Sequence, residues 1–418
     1  MSLEKMEEHF EKIELSNGIK GIVYPINAPV VHVGIAIKAG SKFDVIPGTA
    51  HLLEHMIFKG TENRRAFQIN NFLDSVGGEL NAYTHKDEMV VYASVRKEFF
   101  ERALELLADL VQNAVFPEKE LQREKPVVID EIHSYLETPA EQIFDDFEEL
   151  LFAETPLGHP VLGSLSSVQS ITTDDLRQFY KQYFVAQNMV FSVVGAFNKK
   201  RDLKLIDQYF SSIKSGNTKK AEKKQSEIVE FNRFEARFSR ASYQTHVIFG
   251  APSYDYYSPK RRILLLLNNI IGGPSLNSLL NKILREQKGW TYNAESSVSS
   301  YEEAGSFAIY FSCEEENLKK ARNSVKKTLR DLCEGRLSDR QFTNYKRQFI
   351  GHLALSNDNH AGMMLTLCKS MLIFGKVDTI AQIEQEIMEI SKQQLIDVAN
   401  EVIHPDNLSS IIYYTKNK

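Results

Sequence analysis

The chain has 418 residues, of which 43% are hydrophobic and 25% are charged, a composition typical of folded globular proteins that excludes a disordered chain. Its length favours two or more domains, since one domain takes roughly 100–200 residues. The formal net charge of -5 provides no basic surface of the kind that binds phosphate backbones or anionic lipids, so we expect no nucleic-acid partner and no membrane partner.

The N-terminal stretch MSLEKMEEHFEKIEL is acidic and lacks the apolar segment of a secretory signal. No stretch of the sequence has the roughly 18 apolar residues that a spanning helix needs. The three cysteines are an odd number without metal-type spacing, which is typical of buried free thiols in a reducing compartment. We therefore predict a cytoplasmic protein.

The two halves of the chain have the same predicted order of elements. In the first half, residues 30–40, 87–95 and 188–197 alternate as strands, while HLLEHMIF (51–58) and a segment ending at a glycine pair have helical periodicity. In the second half, strands are predicted at 245–253, 305–313 and 408–415, and helices at 261–273 and 275–289. The repetition indicates an internal duplication.

A polar, lysine-rich stretch, SGNTKKAEKKQSE (215–227), separates the halves and has no apolar periodicity, so we predict an exposed linker there. The predicted domains are residues 1–214 and 228–418. Strands and helices mixed in this order predict an α+β fold of two homologous α/β sandwiches, with helices packed on largely antiparallel sheets.

The first predicted helix carries His51, Glu54 and His55 within one arc of roughly 100°, opposite its apolar side. Imidazoles at positions i and i+4 of a helix can bind one metal ion, with a carboxylate beside the ion. The order HxxEH is a zinc-peptidase signature. The alternative is a solvated polar face without a metal.

A catalytic zinc ion usually has three protein ligands, so one more is needed from elsewhere in the chain. Glu131 is the candidate, because it lies two helical turns after Glu124 in LQREKPVVIDEIHSYLE and shares its face. Asp130 and His133 are nearby rivals that point away from this face. The alternative is an amphipathic helix whose polar face is exposed to solvent. Pro126 is expected to bend the helix.

HLLEHMIFKGT and the downstream EKPVVIDE segment resemble the pitrilysin and insulysin family of zinc peptidases, which includes the mitochondrial processing peptidase. The resemblance continues through GGELNAYTHKDEMVVYASV, HPVLGSLSSVQSIT and VVGAFN, and so covers the first half. It implies that His51, His55 and Glu131 bind one zinc ion, that Glu54 is the general base, and that Glu124 supports the site from behind the ligands.

In the second half, LREQKGWTY resembles the family's arginine and tyrosine pair, which implies that Arg285 and Tyr292 hold the substrate across a chamber from the zinc ion. The place equivalent to HLLEH reads LNNIIGGPSLNSLL and has no metal triad, as in the family's non-catalytic repeat. Trp290 stands where the family usually has leucine, and we expect this change to alter packing only.

The resemblance implies a zinc-dependent endopeptidase that hydrolyses short or unfolded peptides inside a closed clamshell. Glu54 would take a proton from the zinc-bound water, and Tyr292 would donate a hydrogen bond to the developing oxyanion. We expect the strand after the glycine pair to bind the peptide through edge addition at Asn81 and Ala82. Because this short chain carries both the zinc triad and Arg285, we expect a homodimer whose sites are completed by the partner.

Two other functions remain open. The family includes catalytically silent structural or partner subunits of the same fold, although these typically lack the intact triad. A zinc hydrolase that acts on a non-peptide amide would share the same chemistry.

Overall fold

The structure, a computed structural model, describes residues 10–153, 155–216 and 232–415. Strands in these ranges are β1 (Glu11–Glu14), β2 (Lys20–Pro25), β3 (Val30–Ile37), β4 (Glu79–Thr84), β5 (Met89–Arg96), β6 (Met189–Gly195), β7 (Glu235–Arg240), β8 (Thr245–Ser253), β9 (Ala294–Ser300), β10 (Gly305–Cys313) and β11 (Ser409–Thr415). The helices are α1 (Thr49–Ile57), α2 (Ala66–Asp74), α3 (Phe100–Asn113), α4 (Glu118–Leu136), α5 (Pro139–Leu151), α6 (Leu165–Ser170), α7 (Thr173–Tyr183), α8 (Lys199–Phe210), α9 (Arg261–Gly272), α10 (Leu318–Cys333), α11 (Asp339–Ser356), α12 (His360–Phe374), α13 (Ile380–Glu389) and α14 (Lys392–Val402). A short π-helix spans Asn281–Gln287.

The described residues form two compact units that differ from the two halves of the sequence. The first unit comprises residues 10–132, 159–216 and 354–380, and the second comprises the remainder. Each half of the chain thus gives one helical segment to the unit built mainly by the other half. The predicted domain boundaries took no account of this exchange, and residues 217–227 of the predicted linker lie outside the described residues.

The first unit contains a six-stranded sheet with the order β1-β2-β6-β3-β5-β4. Most pairs are antiparallel, and β2 pairs with β6 in parallel. One face of the sheet packs against α1, α3 and α4, where Leu53, Leu107 and Val128 are fully buried with strand residues such as Val33. The metal-motif helix is therefore held on a rigid apolar core, and β4 forms an edge of the sheet beside it.

Helix α12 covers the opposite face of the first sheet. Its residues Met364 and Cys368 are fully buried against Ala36 and Val90 from the strands. A Cβ atom added to Gly34 would lie 2.6 Å from the Met364 sulfur, so a larger residue there would force the Met364 side chain to move. The almost continuous apolar sequence of α12 is thereby explained, because the helix fills a layer of the core.

The second unit repeats this arrangement. Its five-stranded sheet has the order β7-β11-β8-β10-β9, and one face packs on α9, α10 and α14. Helix α5 covers the other face, with Ile143 and Phe147 buried against Ile248 and Tyr413. A Cβ atom on Gly250 would lie 2.3 Å from the Phe147 ring. In both units, a glycine in the sheet thus lies where the covering helix packs closely.

Each exchanged helix also makes a polar contact with its sheet. Lys369 of α12 donates to Glu88 at 2.6 Å, and Glu88 is fully buried. Asp146 of α5 accepts from the Tyr413 hydroxyl at 2.5 Å and from Arg240 at 3.2 Å. Removing Lys369 would leave the buried charge of Glu88 uncompensated, so this contact favours the packing of α12 on the first sheet.

The predicted α+β class of two helix-on-sheet sandwiches is confirmed. The predicted strands at 30–40, 87–95, 245–253 and 305–313 correspond to β3, β5, β8 and β10. Helix α4 continues through Pro126 without ending there. The three cysteines are free and buried, as expected. Among the described residues, no helix has the length and apolar character needed to cross a bilayer.

Candidate metal centre

The start of α1 is fixed by local backbone chemistry. Gly48 precedes the helix with a φ of +93°, and a side chain there would also lie 2.8 Å from the Leu162 carbonyl oxygen. Asp44 accepts hydrogen bonds from the backbone N–H groups of Gly48 and Ala50, both at 2.9 Å. These groups would otherwise be unpaired at the helix N-terminus. Burial raises the pKa of Asp44 to about 7, although the backbone hydrogen bonds act in the opposite direction.

His51, His55 and Glu131 come together as the sequence predicts. Their ligand atoms all lie within 4.8 Å of one another. Glu131 Oε1 is 3.7 Å from His51 Nε2, and Glu131 Oε2 is 3.4 Å from His55 Nε2. Donors about 2.1 Å from one tetrahedral ion lie roughly 3.4 Å apart, so this cluster has the spacing and the donor types of a zinc site.

Glu124 lies behind the cluster rather than in it. Its Oε1 atom is 3.0 Å from His55 Nδ1, and its Oε2 atom is 2.7 Å from Lys59 Nζ. A carboxylate can only accept, so Glu124 favours the tautomer of His55 with its proton on Nδ1, in which the Nε2 lone pair faces Glu131. Lys59 offsets the charge of Glu124, which is 7% exposed. The two glutamates of α4 therefore have different surroundings.

The surroundings of His51 favour the neutral imidazole. Burial lowers its pKa to about 4, and the neighbouring His55 contributes in the same direction. Its Nδ1 atom is buried without a hydrogen-bond partner among the described residues. A neutral ring with an available lone pair is the state that binds a metal cation.

Glu54 lies on the same face of α1, close enough to His55 and Glu131 for their charges to act on its carboxyl group. Burial raises the pKa of its carboxyl group, and Thr84 and His55 partly oppose this effect. Its Oε2 atom is buried and has no hydrogen-bond partner within the described part of the chain. A carboxyl group with a raised pKa beside a metal cluster has the properties of a general base.

A cleft of about 760 Å³ opens beside these groups within the first unit. Glu54, His55 and Phe58 line one side, and Asn81 lines the other. Asn81 and Ala82 lie on the edge strand β4, which pairs on one side only, with β5. The Ala82 N–H group donates to the Asn81 side-chain oxygen at 2.8 Å. The edge is thus next to the metal cluster, as the sequence predicts.

Arg285 and Tyr292 belong to the second unit. Arg285 lies in the π-helix with its Nε atom 3.6 Å from Glu286 Oε1, and its side chain is 44% exposed. Tyr292 is 86% exposed. Trp290 packs against the core of this unit. The substrate-holding role of the arginine and tyrosine pair stays a prediction.

Three residues of the site were not predicted from the sequence. Lys59 follows His55 by one helical turn, a spacing that signals a shared face. Asp44 lies just before the helix, where acidic residues commonly accept from free N–H groups. Thr84 gives no sequence signal, because its approach to Glu54 depends on the packing of α1 against β4.

Comparisons with known proteins agree with this fold. Residues 23–165 match the family described as insulinase (peptidase family M16), and residues 170–349 match the peptidase M16 inactive domain. The chain is 30% identical over 400 residues to a Bacillus subtilis protein named uncharacterized zinc protease YmxG, covering 95% of this chain and 96% of the relative.

Two solved structures share the fold. One is described as a protease from Helicobacter pylori, with a TM-score of 0.89 and 20% identity, covering 98% of this chain and all of the other. The second is described as a peptidase M16 inactive domain from Pseudomonas fluorescens, with a TM-score of 0.87 and 19% identity, covering 98% of each chain. Fold and matches together define a two-domain chain of the peptidase-like class. It belongs to the insulinase family, peptidase family M16.

Proposed function

We propose that this chain is a zinc-dependent endopeptidase that cleaves short or unfolded peptides. The observation that carries the proposal is the convergence of His51, His55 and Glu131, whose ligand atoms lie within 4.8 Å of one another, beside the buried Glu54. His51 and Glu124 are buried, and burying ionisable groups is costly for stability unless they share a function. The zinc-protease name of the Bacillus subtilis relative supports the same activity.

The donor set fits a catalytic zinc site, because two imidazoles and one carboxylate leave a fourth position for water. Zinc bound there would lower the pKa of a water molecule to about 7 and polarise the peptide carbonyl group. Glu54 takes the proton of the attacking water and then gives it to the leaving amine. Glu124 keeps His55 in the tautomer that leaves Nε2 free, and its own charge is offset by Lys59.

The substrate would bind as an added strand along β4. An extended peptide can pair with an edge strand through main-chain hydrogen bonds, which makes recognition tolerant of sequence. The Ala82 N–H group, now held by the Asn81 side chain, would pair with a substrate carbonyl after that side chain turns away. Such binding excludes folded proteins, whose backbone groups are already paired, and favours unfolded peptides.

Arg285 and Tyr292 would hold the substrate from the second domain of a partner chain. Tyr292 is 86% exposed, so its ring and hydroxyl group are accessible to a substrate. A two-fold homodimer in which each zinc site faces the partner's second domain would use both features of the chain.

The proposal is tested with purified protein, metal analysis and a quenched fluorescent peptide. Wild-type protein should contain about one zinc ion per chain. The Glu54→Gln variant should keep the zinc ion and lose at least about 100-fold in kcat, because it lacks the proton acceptor. Equal cleavage by both proteins would contradict the assignment of Glu54.

The second candidate is a catalytically silent subunit of the same fold. The match of residues 170–349 to an inactive domain is compatible with it, although the metal cluster lies before that range. A chain that binds zinc yet cleaves no member of a random peptide library would support this alternative. A zinc hydrolase acting on non-peptide amides would bind zinc and cleave amide substrates in place of peptides.

A further inference from the structure

In the second unit, the turn after α9 brings a serine, a histidine and an asparagine into one hydrogen-bonded line. Ser275 Oγ lies 3.0 Å from His352 Nε2, and His352 Nδ1 lies 3.2 Å from Asn269 Oδ1. An amide oxygen can only accept, so Asn269 favours the tautomer of His352 with its proton on Nδ1. In that tautomer the Nε2 lone pair faces the Ser275 hydroxyl, as in a nucleophile paired with its general base.

The asparagine is held behind the imidazole by its burial in α9. Asn269 is 6% exposed, and a Cβ atom added to Gly273 would lie 2.7 Å from Asn269 Oδ1, so glycine leaves room for the amide. The Asn269 Nδ2 atom is buried and has no hydrogen-bond partner within the described ranges. Such atoms are rare in folded proteins and require an explanation. A buried acceptor at Nδ1 is the group that orients the histidine of a catalytic triad.

Two hydrogen bonds tie the turn with the serine to the helix with the histidine. The Tyr345 hydroxyl donates to the Asn277 carbonyl oxygen at 3.2 Å, and Gln348 Nε2 donates to Asn277 Oδ1 at 2.8 Å. Tyr345 and Gln348 precede His352 on α11 by seven and four residues, so all three lie on one face of the helix. The short distance between Ser275 and His352 is therefore supported by contacts on both sides of the turn.

A cleft of about 500 Å³ opens next to this turn. Leu276 and Asn277 line it from the turn, and residues of α11 line the other side. Leu276 directly follows the serine, and the backbone N–H group of the residue after the nucleophile is an oxyanion donor in serine hydrolases. The Leu276 side chain is 59% exposed and can cover a short acyl chain. Lys282 and Glu286 bring one charge of each sign, so the cleft suits an uncharged ligand.

We propose that this cluster is a second, metal-independent catalytic centre that hydrolyses carboxylic esters with a short, uncharged acyl group. Ser275 is the nucleophile, His352 the general base and Asn269 a positioning residue. Ser275 Oγ bonds to the ester carbonyl carbon while its proton moves to His352 Nε2, and the alcohol leaves with that proton as its C–O bond breaks. Water then attacks the acyl-serine and gives one proton to His352, which passes it to Ser275 Oγ as the acid leaves. The centre does not depend on the proposed peptidase function.

The first test incubates the intact protein with a fluorophosphonate probe and locates the modified residue by peptide mass spectrometry. Folded wild type should be phosphonylated at Ser275, and His352→Gln should react at least about 100-fold more slowly, because the general base is lost. Wild type unfolded in urea should not react there. Ser324→Ala changes a partly exposed serine on α10 and should react like wild type. No modification of Ser275 in folded wild type, or equal rates in wild type and His352→Gln, would overturn the proposal.

The role of the asparagine is tested by the same labelling rate. Asn269→Leu should react at least about 10-fold more slowly than wild type, because the ring loses the acceptor that sets its tautomer. Asn269→Asp keeps an acceptor oxygen and should recover most of the rate. A loss of structure alone would not be repaired by the aspartate, and equal rates in Asn269→Leu and wild type would show that the amide positions nothing.

The second test follows hydrolysis of p-nitrophenyl acetate after metal has been removed with a chelator. Wild type should release p-nitrophenol and carry an acetyl group on Ser275 in acid-quenched samples, and Ser275→Ala should lose at least about 100-fold in rate. Glu54→Gln, which should lose peptide cleavage, should keep this ester hydrolysis, so the two proposed centres can fail separately. Hydrolysis that is unchanged in Ser275→Ala, or that is abolished by the chelator, would overturn the proposal.

Discussion

His55 Nδ1 lies 3.0 Å from Glu124 Oε1, on the side of the ring opposite the nitrogen that faces Glu131. The metal cluster is therefore backed by a carboxylate that fixes the tautomer of one ligand. We expect Glu124→Gln to weaken zinc binding by about 10- to 100-fold, because the charge that supports the imidazole is lost. Competition with a fluorescent chelator measures this affinity.

A matched control for this variant is Asp130→Asn, which changes an exposed carboxylate on the same helix. Its zinc affinity should equal that of wild type. A larger loss in Asp130→Asn than in Glu124→Gln would mean that the other face of α4 supports the metal.

The metal-free protein should become less stable as the pH falls from about 6.5 toward 4. Burial lowers the pKa of His51 to about 4, whereas in the unfolded chain this pKa has its ordinary value of 6.5. Between these values the unfolded state binds more protons than the folded state, so protons favour unfolding. The contribution of His51 is complete above pH 6.5 and declines by at most about 1.4 kcal/mol per pH unit below it.

Urea unfolding at a series of pH values measures this dependence. The His51→Gln variant should show a flatter profile over that range, while His133→Gln, which changes an exposed histidine on α4, should follow wild type. Identical profiles for His51→Gln and wild type would show that His51 is not held neutral in the folded protein.

Asp44 should stabilise the start of the metal-motif helix. Asp44→Ala removes the acceptors of the Gly48 and Ala50 N–H groups and should lower the free energy of unfolding by about 1–2 kcal/mol. Asp44→Asn keeps one acceptor oxygen and should lose less. Urea titration compares the three proteins, and an Asp44→Ala value equal to wild type would show that the helix start is held by other contacts.

The proposed homodimer predicts complementation between two inactive variants. Glu54→Gln lacks the general base and Arg285→Ala lacks the substrate-holding arginine, but a hybrid dimer would contain one intact site. With random exchange, half of the dimers are hybrids and half of their sites are intact, so about one quarter of the wild-type activity should return. The unmixed variants are the controls, and no recovery after confirmed subunit exchange would argue against shared sites.

The sequence predicted the parts of the molecule that depend on local pattern. The periodicity of HLLEH placed two imidazoles and a carboxylate on one helical face, and the seven-residue spacing of Glu124 and Glu131 placed both on α4. The sequence did not reveal that α5 and α12 cover sheets built mainly by the other half, because those contacts join residues far apart in the chain. The position of Thr84 near Glu54 was not predicted either, because the two residues are also far apart in the chain.

The distinct surroundings of the two α4 glutamates could not be read from their spacing either. Glu124 is 7% exposed and paired with Lys59, whereas the side chain of Glu131 is 45% exposed and faces both imidazoles. Only the packing of α4 against α1 decides which carboxylate points at the histidine Nε2 atoms. Helical periodicity predicts on which face of a helix a residue lies, but it does not predict how deeply that residue is buried.

The metal centre is tested most directly by the zinc content of Glu131→Gln beside that of wild type and Glu54→Gln, after equal zinc loading and removal of free metal. We expect about one zinc ion per chain in wild type and Glu54→Gln, and well under half of that in Glu131→Gln, because Glu131 completes the ligand set. Equal zinc content in all three proteins would contradict a centre formed by His51, His55 and Glu131.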